Sequence, residues 1–299
     1  MARKLVFIHG RAQERKDSIA LKKEWIDSWR RGLDAAGLEM PVSETDIRFP
    51  YFGDTLEQLA RGANPASAAA VIIRGTDLDQ GEKRFANAIA AHIQKKFITE
   101  DQLASVAGRE VVERGVFQWE WVQGVLQAID RYVPGASATG IALKTHDVYQ
   151  YLTNADVRAT IDDGVMKAME PDVETVVVAH SLGTVVAYRL LRQFGHKRGW
   201  RVRELITVGC PLGVKEIRET VMKWSPTRCP PCVDAWFNAY DTRDVVALYP
   251  LTTDYFPCDP LLPAIEEYDQ VKNHTDNRHG IAGYLDDPVV ARRIHDALI

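Results

Sequence analysis

Residues 176–185 read Val-Val-Val-Ala-His-Ser-Leu-Gly-Thr-Val, an apolar, β-branched run that passes directly into a helical pattern. Such a run predicts a buried strand followed at once by a helix, with Ser181 at the turn between them. A sharp bend there lifts the serine hydroxyl clear of the sheet, and the backbone N–H of Leu182 points toward a carbonyl bound beside it. The bend is crowded, so the residues two before and two after the serine must be small. Ala179 and Gly183 meet that requirement.

The chain on either side of this turn alternates between strand and helix patterns. Short runs rich in β-branched or aromatic residues predict strands over residues 5–8, 46–49, 173–179, 202–208 and 233–240. Helical periodicity predicts helices over residues 18–36, 184–194 and 289–298. The alternation predicts an α/β fold in which helices cover both faces of a mostly parallel central sheet.

A long helical block separates the second and third predicted strands. Residues 51–75 are Ala-rich and loop-like, and helical patterns then cover residues 82–97, 111–133 and 147–169, the last broken near Asn154. We interpret residues 1–299 as a single domain with a helical insertion, resembling a cap or lid, at about 53–140. The helix over 111–133 is apolar around most of its circumference, which favours burial against the main domain but also suits a lid over an acyl pocket.

Composition and charge exclude several classes of protein. The 299 residues carry a net charge of −4, which gives no basis for electrostatic binding of nucleic acid or anionic lipid. No run approaches the ~20 apolar residues of a transmembrane helix, and the apolar run at residues 5–8 is too short for a secretion signal. We therefore expect a cytoplasmic protein without a membrane anchor.

The four cysteines predict neither a disulfide framework nor a metal site. Cys229 and Cys232 have the spacing of half a zinc site. A tetrahedral site requires a second pair of ligands, and no further Cys-x-x-Cys or His-x-x-x-His follows. We expect reduced thiols, no bound metal and no organic cofactor.

The segment His180-Ser181-Leu182-Gly183 after a valine-rich strand resembles the nucleophile elbow of the α/β-hydrolase superfamily, especially its lipase and esterase branches. The usual Gly-x-Ser-x-Gly pattern has glycine where this chain has Ala179. The resemblance implies an α/β-hydrolase fold and a Ser-His-Asp triad in the chain order serine, acid, histidine. It is carried mainly by residues 5–11 and 173–190, and residues 51–140 contribute nothing to it.

The resemblance also implies an oxyanion hole built from two backbone N–H groups. The segment Phe7-Ile8-His9-Gly10-Arg11 resembles the family's His-Gly loop after an early strand. By this resemblance, the N–H groups of Arg11 and Leu182 are the donors. The alternative is an ordinary glycine turn at the end of a strand.

Two candidates for the acid lie in the loop after the strand over residues 233–240. Asp244-Val245-Val246 resembles the family's Asp-Pro-Val, so we favour Asp244, with Asp241 as the alternative. The base must follow the acid. His279, which precedes Gly280, resembles the histidine loop of lipase-like members and is favoured over His274.

Two other histidines have expected roles outside the triad. His295 lies in the predicted closing helix, where a surface or packing role is expected. His180 precedes the acid in the chain, so we expect it to pack or hydrogen-bond locally.

These implied residues predict a serine hydrolase that cleaves a carboxylic ester through an acyl-enzyme intermediate. His279 would take the proton of Ser181, and Asp244 would orient the imidazole. The expected partner is a small acyl ester, with lipid left open. Thioesterases, peptidases and acyltransferases use the same scaffold, and a hydrolase-like binding protein with an idle triad is the non-enzymatic alternative.

Overall fold

The computed structural model describes residues 3–10, 17–54, 65–116, 118–224, 229–257 and 265–299. The chain divides into two compact units. One unit combines residues 1–55 with residues 156–299, and the other consists of residues 56–155. The sheet lies entirely in the first unit, and the second unit is helical in its described part.

A parallel six-stranded sheet forms the centre of the first unit, counted over the described residues. Its strands are β1 (Lys4–Ile8), β2 (Ile47–Arg48), β3 (Glu174–His180), β4 (Arg201–Val208), β5 (Trp236–Ala239) and β6 (Glu266–Tyr268). Helices lie on both sides of the sheet, which confirms the predicted α/β class. All five predicted strands are present, although β2 and β5 are shorter than predicted, and β6 was not predicted.

The strand order β2-β1-β3-β4-β5-β6 contains one reversal of direction. The chain winds from β1 outward to β2, and later winds the opposite way from β3 to β6. Open parallel sheets bind ligands at the carboxyl ends of their strands, beside the point where the order reverses. The ends of β1 and β3, with His9 and Ser181 directly after them, lie at this point.

The helices, in chain order, are α1 (Ser18–Ala36), α2 (Pro65–Arg74), α3 (Gln80–Phe97), α4 (Glu100–Ala107), α5 (Arg109–Arg114), α6 (Trp119–Tyr132), α7 (Ala138–Thr153), α8 (Ala155–Met166), α9 (Leu182–Leu190), α10 (Lys215–Trp224), α11 (Ala282–Leu285) and α12 (Pro288–Leu298). A π-helical segment, Leu191–Gly195, extends α9. Within the described ranges, no helix is both long enough and apolar enough to cross a membrane.

Helix α1 forms where the sequence predicted it, because both of its ends carry a capping residue. The Asp17 side chain accepts a hydrogen bond from the Ala20 N–H, and Gly37 adopts a left-handed conformation (φ 68°) after the last turn. Its apolar side buries Trp25 and Trp29 in the core between the sheet and helices α11 and α12. This layer covers one face of β1 and β3 and leaves their carboxyl ends open to the loops.

The helical unit differs from prediction in two places. The helix predicted over residues 111–133 is wrong, because the chain breaks at Gly115 (φ 78°) between α5 and α6. Of the loop predicted over residues 51–75, residues 55–64 lie outside the described residues, and residues 65–74 form α2. The break predicted near Asn154 is confirmed, because α7 ends at Thr153 and α8 begins at Ala155. Within the helical unit, α7 packs against α2, α3 and α6.

Candidate active site

Ser181 occupies a strained backbone conformation between β3 and α9. Its φ of 55° and ψ of −127° lie in a region that non-glycine residues rarely adopt. Neighbouring groups hold it there. Its N–H donates to the carbonyl of Val208 at 3.2 Å, and its carbonyl accepts from the N–H and the hydroxyl of Thr184 at 3.0 and 2.7 Å.

Two glycines allow β1 to approach this turn. A Cβ on Gly183 would lie 2.2 Å from the carbonyl oxygen of Ile8, and a Cβ on Gly10 would lie 2.7 Å from the Cβ of Ser181. No side chain fits at either position without movement of the backbone. Gly10 and the turn after β3 are therefore in van der Waals contact.

The structure brings the three favoured triad residues together. The Ser181 Oγ lies 2.9 Å from the His279 Nε2, and the His279 Nδ1 lies 2.6 Å from the Asp244 Oδ2. The side chains of His279 and Asp244 are 2% and 0% exposed. In the tautomer that satisfies both contacts, Nδ1–H donates to the carboxylate and Nε2 accepts from the serine hydroxyl.

Asp244 is a buried carboxylate that the site keeps ionised. Burial opposes its charge, but the charge of the neighbouring imidazole and several hydrogen bonds outweigh burial and hold the pKa of Asp244 below its usual value. Its Oδ1 accepts from the N–H of Val246 at 2.8 Å, and its Oδ2 accepts from the hydroxyl of Tyr284 at 2.6 Å. Hydrogen bonds therefore hold both carboxylate oxygens of Asp244 in position.

Asp241, the alternative acid, serves a different purpose. Its carboxylate accepts from the backbone N–H and the guanidinium of Arg243, and from the N–H of Asn273 at 2.9 Å. Burial opposes its charge, but these hydrogen bonds and the charge of Arg243 lower the pKa of Asp241. Through the hydrogen bond from Asn273, Asp241 connects the loop after β5 to the segment that precedes His279.

The other candidate histidines lie outside this group of residues. His274, 62% exposed, contacts Asp286 through Nε2 at 2.7 Å. His295 lies on α12, where its Nδ1 is 2.8 Å from the carboxylate of Asp296. In the described part of the chain, neither ring is hydrogen-bonded to Ser181 or Asp244.

The backbone of His279 is anchored at both of its polar groups. Its N–H donates to the side-chain oxygen of Asn277 at 3.0 Å, and its carbonyl accepts from the Nε2–H of His180 at 2.8 Å. His180 therefore joins the nucleophile turn directly to the loop of the base, with the two rings 4.6 Å apart. Sequence analysis predicted that this residue packs or hydrogen-bonds locally, whereas its partner lies 99 residues away in the chain.

His9 is buried beside the nucleophile turn without entering the triad. Its Nδ1 lies 2.5 Å from the carbonyl of Gly10, and its Nε2 accepts from the N–H of Phe52 at 3.1 Å. Its ring stacks on Phe52 with centroids 3.9 Å apart. Burial lowers the pKa of His9 to about 4, so the ring is neutral near pH 7. His9 thus connects the end of β1 to the segment after β2.

Leu182 begins α9, which places its N–H at the positive end of the helix dipole beside Ser181. Arg11, the other predicted donor, lies outside the described residues.

Of the cysteine pair, Cys229 is buried, and the thiol of Cys232 lies 3.5 Å from the carbonyl of Leu191. In the described ranges, no group of three or more His, Cys, Asp or Glu side chains is arranged to hold a metal.

No family model, curated protein or solved structure matches this chain. The chemistry of the site therefore follows from the positions of its own atoms. A hydroxyl hydrogen-bonded to an imidazole, itself hydrogen-bonded to a buried carboxylate, is an activated nucleophile. The imidazole is placed to accept the hydroxyl proton, and the carboxylate is placed to balance the positive charge of the imidazolium that forms. This arrangement suits acyl transfer.

Tyr284 donates a hydrogen bond to Asp244 that sequence analysis missed. It lies on the short helix α11, where a tyrosine among small and apolar residues was the available signal. Such a residue is most often part of the core. The contact of its hydroxyl with Asp244 depends on tertiary structure that the sequence pattern does not contain.

Proposed function

We propose that this protein is a serine hydrolase of the α/β-hydrolase kind that cleaves carboxylic esters through an acyl-enzyme intermediate. The observation that carries the proposal is the continuous hydrogen-bonded path from Ser181 through His279 to Asp244. The strained turn at Ser181 adds to it, because such strain is retained where the surrounding structure requires the side chain to be presented.

The proposed reaction begins with attack of the Ser181 oxygen on the ester carbonyl. His279 accepts the hydroxyl proton at Nε2, and Asp244 stabilises the resulting imidazolium without itself taking a proton. The tetrahedral intermediate collapses as His279 returns the proton to the leaving alkoxide. Water then attacks the acyl-enzyme with His279 again as base, which releases the acid and restores the serine.

We assign the developing oxyanion to the backbone N–H of Leu182 and, following the family resemblance, to that of Arg11. The close approach of Gly10 to Ser181 supports a contribution from the loop after β1. Loss of one such donor typically raises the barrier by about 3–4 kcal/mol.

The order of the residues along the chain supports the same scaffold. The nucleophile follows β3, the acid follows β5 and the base follows β6, so the three residues come from loops at the carboxyl edge of a parallel sheet. The turn itself lies at the reversal of strand order, where open α/β sheets bind their ligands. The serine, acid, histidine order agrees with that of the α/β-hydrolases.

A labelling experiment tests the proposal directly. A fluorophosphonate should attach to the folded protein, and peptide mass spectrometry should locate the adduct at Ser181. Ser181→Ala should lose labelling and lower kcat for 4-nitrophenyl esters by up to about 10⁶-fold. Ser28→Ala is the matched control, because Ser28 is also buried but donates to the carbonyl of Glu24 on α1.

Two results would count against the proposal: an unlabelled wild-type protein that is correctly folded, or unchanged ester turnover in Ser181→Ala. A panel of short esters, long esters, thioesters and peptides assigns the acyl and leaving groups. Preferred turnover of thioesters or peptides would retain the nucleophile and replace the ester assignment.

A further inference from the structure

Two side chains contact one and the same oxygen atom of the buried acid. The Asp244 Oδ2 is 2.6 Å from the His279 Nδ1 and also 2.6 Å from the hydroxyl of Tyr284. All three side chains are at most 2% exposed. Water is therefore a poor substitute for either donor, and the imidazole and the phenol share the charge of the same carboxylate oxygen.

The direction of the Tyr284 hydrogen bond is fixed by its second contact. The N–H of Asp241 donates to the Tyr284 oxygen at 3.4 Å, so the hydroxyl proton is directed to the carboxylate. Burial and the adjacent Asp244 charge raise the pKa of Tyr284 well above its ordinary value, which keeps the phenol protonated as a donor.

We propose that Tyr284 is a positioning residue that fixes the Asp244 carboxylate and moderates the basicity of His279 by drawing charge from the oxygen they share. This inference rests on the proposed function. A carboxylate oxygen that also accepts a hydrogen bond from a phenol stabilises an adjacent imidazolium less than an oxygen whose only hydrogen-bond donor is the imidazolium. With Tyr284 in place, His279 loses its proton at lower pH and can act as a base over a wider range.

Tyr284→Phe tests this by removing one oxygen atom and keeping the ring in the core. The pH dependence of kcat/KM for 4-nitrophenyl acetate has an acid limb that reports the protonation of the base. We expect this limb to move to higher pH by about 0.5–1 unit, the equivalent of one neutral hydrogen bond. We also expect kcat to fall about 10-fold as the carboxylate loses one of its fixed contacts.

Tyr188→Phe is the matched control. Tyr188 is likewise buried, at 2% exposed, but its ring packs against Trp236 and Phe256. The acid limb of this variant should coincide with that of the wild type. An acid limb that stays in place or moves to lower pH in folded Tyr284→Phe overturns the proposal.

Two further measurements keep the inference testable. Replacement of Tyr284 by 3-fluorotyrosine makes the phenol a stronger donor and should move the acid limb to lower pH, the opposite direction. NMR titration of the His279 ring reports the same shifts without substrate. If no ester or fluorophosphonate reacts, the proposed function fails. The inference about Tyr284 fails if the His279 titration in folded Tyr284→Phe is unchanged or moves to lower pH.

Discussion

Acidification should destabilise the sheet-containing unit because the buried side chain of His9 resists protonation. The folded-state pKa of His9 is about 4, against 6.5 for the free side chain. One pKa unit corresponds to about 1.36 kcal/mol. Because the unfolded chain binds the proton more tightly than the folded protein does, acidification lowers the free energy of unfolding by about 3 kcal/mol. Because the pKa is lowered on folding, the contribution is constant above about pH 6.5, declines as the pH falls and is fully lost below about pH 4.

The two contacts of the His9 ring explain why it resists protonation. Nδ1–H donates to the carbonyl of Gly10, and Nε2 accepts the N–H of Phe52. A proton added at Nε2 would face another N–H, and the 2% exposed ring has little access to water. The fold must open locally before His9 can become charged.

Urea unfolding at several values between about pH 8 and pH 4 measures this effect. We expect His9→Gln, which retains a hydrogen-bond acceptor near the Nε2 position, to flatten the pH dependence by about 3 kcal/mol over that interval. His196→Gln, at an exposed histidine, should leave the slope as it is in the wild type. An equal slope in His9→Gln and the wild type would refute the reasoning.

Two further predictions concern the acid and the nucleophile turn. Asp244→Asn should lower kcat about 10⁴-fold in ester assays, because an amide does not hold the His279 imidazole in its reactive tautomer. Asp241→Asn should instead lower the urea midpoint. A larger loss of kcat in Asp241→Asn than in Asp244→Asn would reverse the assignment of the acid. Gly183→Ala should cost about 1–3 kcal/mol in urea unfolding because its Cβ would lie 2.2 Å from a β1 carbonyl oxygen. Gly164→Ala, where a Cβ meets open space on α8, should be neutral or stabilising, and equal midpoints for the two glycine variants would contradict the steric argument.

The elements that could be predicted from the sequence are those with strong local signals. Helix α1 has an Asp cap and a closing glycine, and β3 is a valine-rich run, so both formed close to their predicted bounds. Ser181 could be located for the same reason, since its turn is defined by its immediate neighbours. The turn lies within about ten residues of contiguous sequence.

Features that depend on distant neighbours were missed or left open. The short β6, Glu266–Tyr268, has no apolar run, and it becomes a strand only by pairing with β5. Asp241 and Asp244 lie three residues apart, and only the surrounding loops determine which one faces His279. The interruption at Gly115 was overlooked because the apolar periodicity continues on both sides of it.

The register of the two central strands has a consequence for how the protein folds. Leu5 pairs with Val176, so β1 receives one of its two neighbours from a segment about 170 residues further along the chain. Contacts this distant in sequence slow folding, because a long loop must be closed before they form. On the ribosome, the whole helical unit is made while β1 still lacks that neighbour. Its buried apolar residues then remain available for mispairing, and the rate of refolding should depend more on the closure of this loop than on any helix.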